Sequence, residues 1–256
     1  MHYQPKQTLM QPNQSFDKDF YDSTDLFAAA AAADERAGFI MKTYLYLFGA
    51  IAALIGIDVL LFAAVGGPEK MIQIIGPVFA AVPMPGLILM GAFIFVSWIA
   101  NSWALNATSP AIQHAGLALY VVFMSLILVP TLCLAQASGG SGTIVSAIAA
   151  TAGLFALLTL TVFITRKDFS FMRPFLLFGG LAAMGFIAAA LVFGFSLGLV
   201  FTYAMIAFFC CYILYDTSNI LHHYRIGQHV AAALALFASV VMLFWYVLRL
   251  FILREE

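Results

Sequence analysis

The sequence predicts an all-helical membrane protein with seven transmembrane helices, and three observations support that prediction. Hydrophobic residues make up 64% of the 256-residue chain and charged residues only 9%, against roughly half and a quarter in a soluble domain. That excess cannot be hidden inside a water-soluble globule of this length. Apolar segments of about 20 residues, the length that crosses about 30 Å of hydrocarbon, recur along the chain. Lipid offers no partner to free backbone groups, so these segments must be helices, and none shows the two-residue alternation of a transmembrane barrel.

In chain order the segments are Thr43–Gly66, Val82–Trp103, Ala115–Gln136, Thr143–Thr165, Pro174–Gly194, Leu197–Tyr215 and His229–Phe251. Gly, Pro and polar clusters separate them: VGGPEK, NATSPA, ASGGSG, RKDFSFMRP and SNILHHYRIGQ. The connection GFSLG is so short that the fifth and sixth helices must form an antiparallel hairpin. Residues 1–36 read as a polar, disordered amino-terminal tail and residues 37–256 as the seven-helix domain. The tail has no apolar core of the signal-peptide kind, so the first helix is expected to act as its own anchor. The alanine run Ala28–Ala33 is expected to start an interfacial helix, alanine being the best helix former. Small residues let backbones approach in lipid, so close helix contacts are expected at Gly49 with Ala53, at Gly180 with Met184, and at Gly194 with Gly198. Ala231, Ala232, Ala233, Ala235 and Ala238 crowd the last helix, which is therefore expected to be enclosed by other helices. Tyr44, Tyr46, Trp98 and Trp103 sit where an interfacial belt would fall.

Orientation follows from the basic residues. With the amino terminus inside, Lys6, Lys18, Arg36, Lys42, Arg166, Lys167, Arg173 and Arg225 fall on the inner side, and Lys70, Arg249 and Arg254 on the outer. Eight against three predicts a cytoplasmic amino terminus and, with seven crossings, an external carboxyl terminus. The two outer arginines in the last helix leave a dip-and-return of that helix as the alternative.

An acid at membrane depth is costly, so a carboxylate kept there points to an ion, proton or partner site. Two qualify. Asp216 follows about nineteen apolar residues and approaches the inner end of the sixth helix. Its bland role would be a hydrogen bond to Thr217 or Ser218, or a pair with Arg225. Asp58 lies about fifteen residues into the first segment, where it would cap, snorkel toward Lys70 or line a cavity. His222, His223 and His229 cluster just past Asp216, without the spacing of a zinc site. Cys133, Cys210 and Cys211 all fall in apolar stretches, where thiols behave as small hydrophobes. No metal site, cofactor or nucleic-acid patch is expected. Gly139-Gly140-Ser141-Gly142 matches the motif of intramembrane serine proteases, but such a serine needs a histidine within reach. The histidines fall on the other membrane face, so no enzymatic role is expected. A retinal protein is excluded by the absence of lysine in the last segment.

Several stretches together resemble a known family. TAGLFALLTLTVFITRKDFSFMRPFLLFGG is similar to the fourth helix and following loop of the Bax inhibitor family. RAGFIMKTYLYLFGAIAAL, then Ser109, Pro110, Ala111 and Tyr120, then LYDTSNI around Asp216 follow in the family's order. The resemblance covers residues 36–252 and points to bacterial members. It implies seven helices with the last surrounded by the other six. It implies a pH-sensitive calcium leak in a bacterial inner membrane, or stress regulation through partners such as a membrane-bound protease. It also implies a sensor of two facing aspartates assisted by an arginine in the second helix. Asp216 matches the first aspartate, but Ser239 stands where the second acid belongs and Met242 where the family has Asn. No Lys or Arg occurs between Lys70 and Arg166, so the arginine is missing too. The expectation is a degraded sensor: Asp216 alone, with Ser239 marking the missing acid and Asp58 as the other pathway candidate. A single carboxylate would hold calcium weakly, since that ion usually takes six to eight oxygens.

Overall fold

A computed structural model describes residues 27–106 and 109–255. The disordered tail expected over residues 1–36 lies outside the described residues up to residue 26, and its last part is corrected, since residues 33–36 already belong to the first helix. Helix α1 (Ala33–Val65) runs on for 33 residues because it contains no proline. It stops at Gly66, whose left-handed φ of 88° lets its N–H turn back to the Phe62 carbonyl. Pro68 then opens α2 (Pro68–Ala81), a fixed φ being well suited to a helix's first position. This short helix was not expected, as its stretch reads as a connection. Pro85 opens α3 (Pro85–Ala104) in the same way.

Helix α4 (Pro110–Thr165) has 56 residues. Straight, it would reach about 84 Å, far beyond one bilayer. It does not stay straight. Gly140 adopts φ 71° and ψ −164°, a conformation that costs glycine little, and the chain reverses there. The first half rises beside α1, where His114 Nε2 lies 2.7 Å from the Tyr46 hydroxyl and Ser125 reaches Asp58. The second half returns, bringing the Phe163 ring to 5.9 Å from that of Tyr44. The glycine-rich stretch expected to be a loop is thus a one-residue break. A short 3-10 turn (Ser170–Met172) leads into α5 (Arg173–Phe193), followed by α6 (Leu199–His222) and α7 (His229–Glu255). Among the described residues, six helices are long and apolar enough to cross a membrane. Because α4 does so twice, the bundle has seven crossings.

Contacts between helices fix their directions. The end that carries the start of α1 is here called the near end. There Arg36 Nη2 donates to the Leu221 carbonyl at 3.2 Å, and the Phe169 N–H to Ser218 Oγ at 2.9 Å. At the far end Arg249 Nη2 donates to the Leu197 carbonyl at 2.6 Å. Helix α7 starts beside Tyr46 through His229 and reaches Leu197 through Arg249. It makes one full crossing, which removes the dip-and-return alternative. Helices α5 and α6 form the expected hairpin, with the Tyr212 hydroxyl on the Leu176 carbonyl at 3.3 Å.

The core is built around α7. It packs against α1, α3, α4 and α6, and Ala231, Ala232, Ala233, Leu236 and Phe237 on it are essentially inaccessible. Helix α5 lies against α6 and α3 on the outside of this cluster. Large apolar side chains such as Leu60, Trp98, Ile164, Phe178 and Val200 point outward, the inside-out pattern that a lipid solvent permits.

Several expectations about packing are corrected. Gly49 and Ala53 face outward, and nothing lies near Gly49, Gly194 or Gly198. A close approach of backbones occurs instead at Gly116, where a Cβ would come within 2.7 Å of the Ala100 carbonyl oxygen. A glycine's neighbours along one helix do not reveal which face meets another helix. The alanine run does not start an interfacial helix. Ala30 and Ala31 turn back onto the Phe27 carbonyl, and Ala28 is fully buried. Tyr44 is no belt residue either, since its hydroxyl is sealed inside the bundle.

Candidate functional site

Asp216 lies in the interior, and its partner is Ser239. Helix α6 continues six residues past Asp216 to His222, so the carboxylate belongs to a helical turn and not to a helix end. Ser239 Oγ donates to Asp216 Oδ2 at 2.5 Å, joining α6 to α7, and both residues are buried. The bland partners do other things. Ser218 Oγ accepts the Phe169 N–H, and Arg225 lies 5.8 Å from the Phe27 ring centroid. Thr217 Oγ1 has no hydrogen-bond partner among the described residues. The position that the resemblance gives to a second acid does face Asp216, and a hydroxyl occupies it.

Aromatic rings enclose this pair on the far side. Phe209 stacks on Tyr212 at 5.8 Å and on Tyr246 at 5.6 Å, in the turns directly beyond Asp216 and Ser239. Toward the near end the surroundings become polar. A cavity of about 360 Å³ opens there, lined by Arg173, Tyr215, Asn219, His223 and Tyr224 among others. Burial raises the Tyr224 phenol above its ordinary value, and the charge of neighbouring Asp216 acts in the same direction. At the rim His223 Nε2 sits 3.0 Å from Asp168 Oδ2. The Ser170 backbone N–H, 2.8 Å from Asp168 Oδ1, holds that carboxyl below its usual range, and His223 adds to the effect.

Asp58 is also interior. It accepts a hydrogen bond from Ser125 Oγ on α4, and both residues are buried. It does not snorkel to Lys70, whose side chain lies back over Gly66. Ser125 was not singled out from the sequence, although a buried carboxylate needs a donor and a lone serine in an apolar run is a natural one. Another unforeseen grouping brings the buried hydroxyls of Tyr44, Thr159 and Thr217 together from α1, α4 and α6, with no hydrogen bond made by any of them among the described residues. No spacing along one helix could reveal it.

The other candidates separate. His114 and His229 both pack on Tyr46 at the near end, while Ser141 lies exposed at the reversal of α4 on the far side. No histidine among the described residues approaches that serine. The described cysteines form no disulfide. No three metal-ligating side chains gather among the described residues.

Fold and site together define a multi-span helical membrane protein with two buried acid–serine pairs. Residues 36–256 match the family described as Inhibitor of apoptosis-promoting Bax1. The chain therefore belongs to the Bax inhibitor family. It is 33% identical to Protein LIFEGUARD 4 of Arabidopsis thaliana over 120 residues, which cover 44% of this chain and 48% of the relative. It is 31% identical to protein PA2604 of Pseudomonas aeruginosa over 163 residues, covering 63% of this chain and 69% of the relative. LIFEGUARD 3 of Arabidopsis thaliana is 33% identical over 101 residues, 37% of this chain and 40% of that protein. The matched stretch thus spans about half the length of these plant relatives or less.

Proposed function

We propose that this protein is a bacterial inner-membrane member of its family whose Asp216 forms a one-carboxylate cation site, giving a small calcium leak without a sharp pH switch. The observation behind this reading is the 2.5 Å contact of Asp216 with Ser239. A hydroxyl in place of the second acid removes the like-charge repulsion on which proton sharing depends. It also leaves too few oxygens for tight calcium binding. The near end is assigned to the cytoplasm, because among the described residues it gathers Arg36, Lys42, Arg166, Lys167, Arg173 and Arg225. No chemical step is assigned to the protein. The test is calcium flux into liposomes holding the purified protein, compared with Asp216→Asn. A flux that falls in the variant, and that in the parent lacks the second titration step of a paired acid, supports the reading. Equal flux in both removes Asp216 from any pathway.

A second reading is a non-conducting regulatory partner of membrane proteins, such as a membrane-bound protease. It is favoured by the ring stack of Phe209, Tyr212 and Tyr246, which stands between Asp216 and the far end. Liposomes with no flux above protein-free controls would select this second reading.

A further inference from the structure

We propose that Phe27–Ala31 form a strap that closes the near-end mouth over Asp216, and that its release opens this carboxylate to water. The segment ahead of α1 does not simply lead into the helix. It lies against the connection between α6 and α7. The Ala28 N–H donates to the Tyr224 carbonyl at 2.9 Å, and Ala28 itself is 0% exposed. Phe27 and Arg225 pair as an isolated antiparallel bridge, with the Arg225 guanidinium 5.8 Å from the Phe27 ring centroid. One turn into α1, Arg36 bonds the Leu221 carbonyl at 3.2 Å.

What Tyr224 adjoins gives the strap a role. The residue it grips, Tyr224, also lines the polar cavity with Tyr215 and Asn219, and it lies within electrostatic reach of Asp216. The cavity lining does not include Asp216, which lies about two helical turns deeper than Tyr224 along the chain, and on this proposal the grip on Tyr224 keeps the two apart. Its polar contacts among the described residues include one backbone hydrogen bond, one bridge and a cation–ring contact at the surface, each of modest strength in an exposed setting. Segments held this way open locally while the rest of the fold stays shut. Ala28 is the point at which the strap can be lifted, since a fully enclosed methyl leaves no room for a longer side chain. Ala28 belongs to the same buried cluster as Ile220 of α6 and Val230 of α7, so the Asp58 control is what separates a lifted strap from a loosened bundle.

The strap does not depend on whether the protein conducts, and its test reads exposure rather than flux. Full-length protein in nanodiscs would be treated with a water-soluble carbodiimide and an amine, and the modification of Asp216 and Asp58 followed by peptide mass spectrometry. The parent would be compared with Ala28→Glu, which lifts the strap, and with Phe27→Ala, which removes the ring beneath Arg225. Modification of Asp216 should rise about tenfold in Ala28→Glu, the change given by a shift of one decade in the opening equilibrium. It should rise by a smaller factor in Phe27→Ala, while Asp58 keeps its parent rate in both. Unchanged Asp216 in folded variants would overturn the strap. So would an equal rise at Asp58, because the bundle as a whole would then have loosened. If Ala28→Glu does not fold, Phe27→Ala alone decides by the same two criteria.

Discussion

Asp216 on α6 and Ser239 on α7 meet inside the bundle, with the serine hydroxyl 2.5 Å from Asp216 Oδ2. This contact couples the central helix to the helix that carries the buried acid. Removing it should cost stability whether or not the site handles ions. A buried acceptor left without its donor costs about 1–3 kcal/mol. Ser239→Ala is therefore expected to lower stability by about that amount, measured by denaturant unfolding in mild detergent. Ser239→Asp should instead place two acids face to face and introduce a coupled, two-step pH dependence of calcium flux absent from the parent. Two-step gating already present in the parent would refute the single-acid reading.

Asp58 and Ser125 form an equivalent pair between α1 and α4. Ser125→Ala should destabilise by about 1–3 kcal/mol. In the Asp58→Leu background the same change should cost far less, since no acceptor is left unsatisfied. Additive losses in this double-mutant cycle would show that the two side chains do not interact.

Close packing around α7 gives a third expectation. Ala232 is 0% exposed, so Ala232→Leu should overpack the core and cost about 1–3 kcal/mol. Ala53→Leu, on an outward face of α1, should leave the melting temperature unchanged. Equal tolerance at both positions would place α7 at the periphery.

The Asp168 carboxyl gives a pH dependence whose sign can be worked out. Its folded value is depressed, first by the Ser170 backbone N–H. A depressed carboxyl adds stability above its unfolded value of about 3.9 and loses it as pH falls through the folded value. The parent should thus melt slightly above Asp168→Asn at neutral pH, and the two should converge in acid. The effect is small because this side chain is 45% exposed. An advantage that grows on acidification would mean that the carboxyl is not stabilised in its charged form.

Orientation can be tested by cysteine labelling in intact spheroplasts. A cysteine at Ser141 should react with an impermeant reagent and one at Ser170 should not, because the two positions lie at opposite ends of the bundle. Labelling at Ser170 alone would invert the assignment of the near end to the cytoplasm.

Much of this architecture was legible along the chain because the membrane imposes simple rules. Apolar length predicts each crossing, and basic residues group by end. These are one-dimensional properties, set by the thickness of hydrocarbon and the cost of moving charge through it. Asp58 and Asp216 stood out for the same reason, since a carboxylate in an apolar run conflicts with its solvent whatever the fold. The apposition of Ser239 with Asp216 came from the family resemblance, not from spacing.

Tertiary structure decided the partners. Neither Ser125 nor the Tyr44–Thr159–Thr217 cluster is signalled by spacing, because their members meet across different helices whose rotations are set by packing. The expected contact at Gly49 and Ala53 failed, and the one at Gly116 appeared, for that same reason. A run of apolar residues shows that a helix is buried in lipid or protein, but only its neighbours decide which face turns inward. The strap from Phe27 to Ala31 lay beyond prediction altogether. Its alanines favour a helix locally, and only the Tyr224 carbonyl and the Arg225 backbone, brought to the near end by the α6–α7 turn, hold it in another shape.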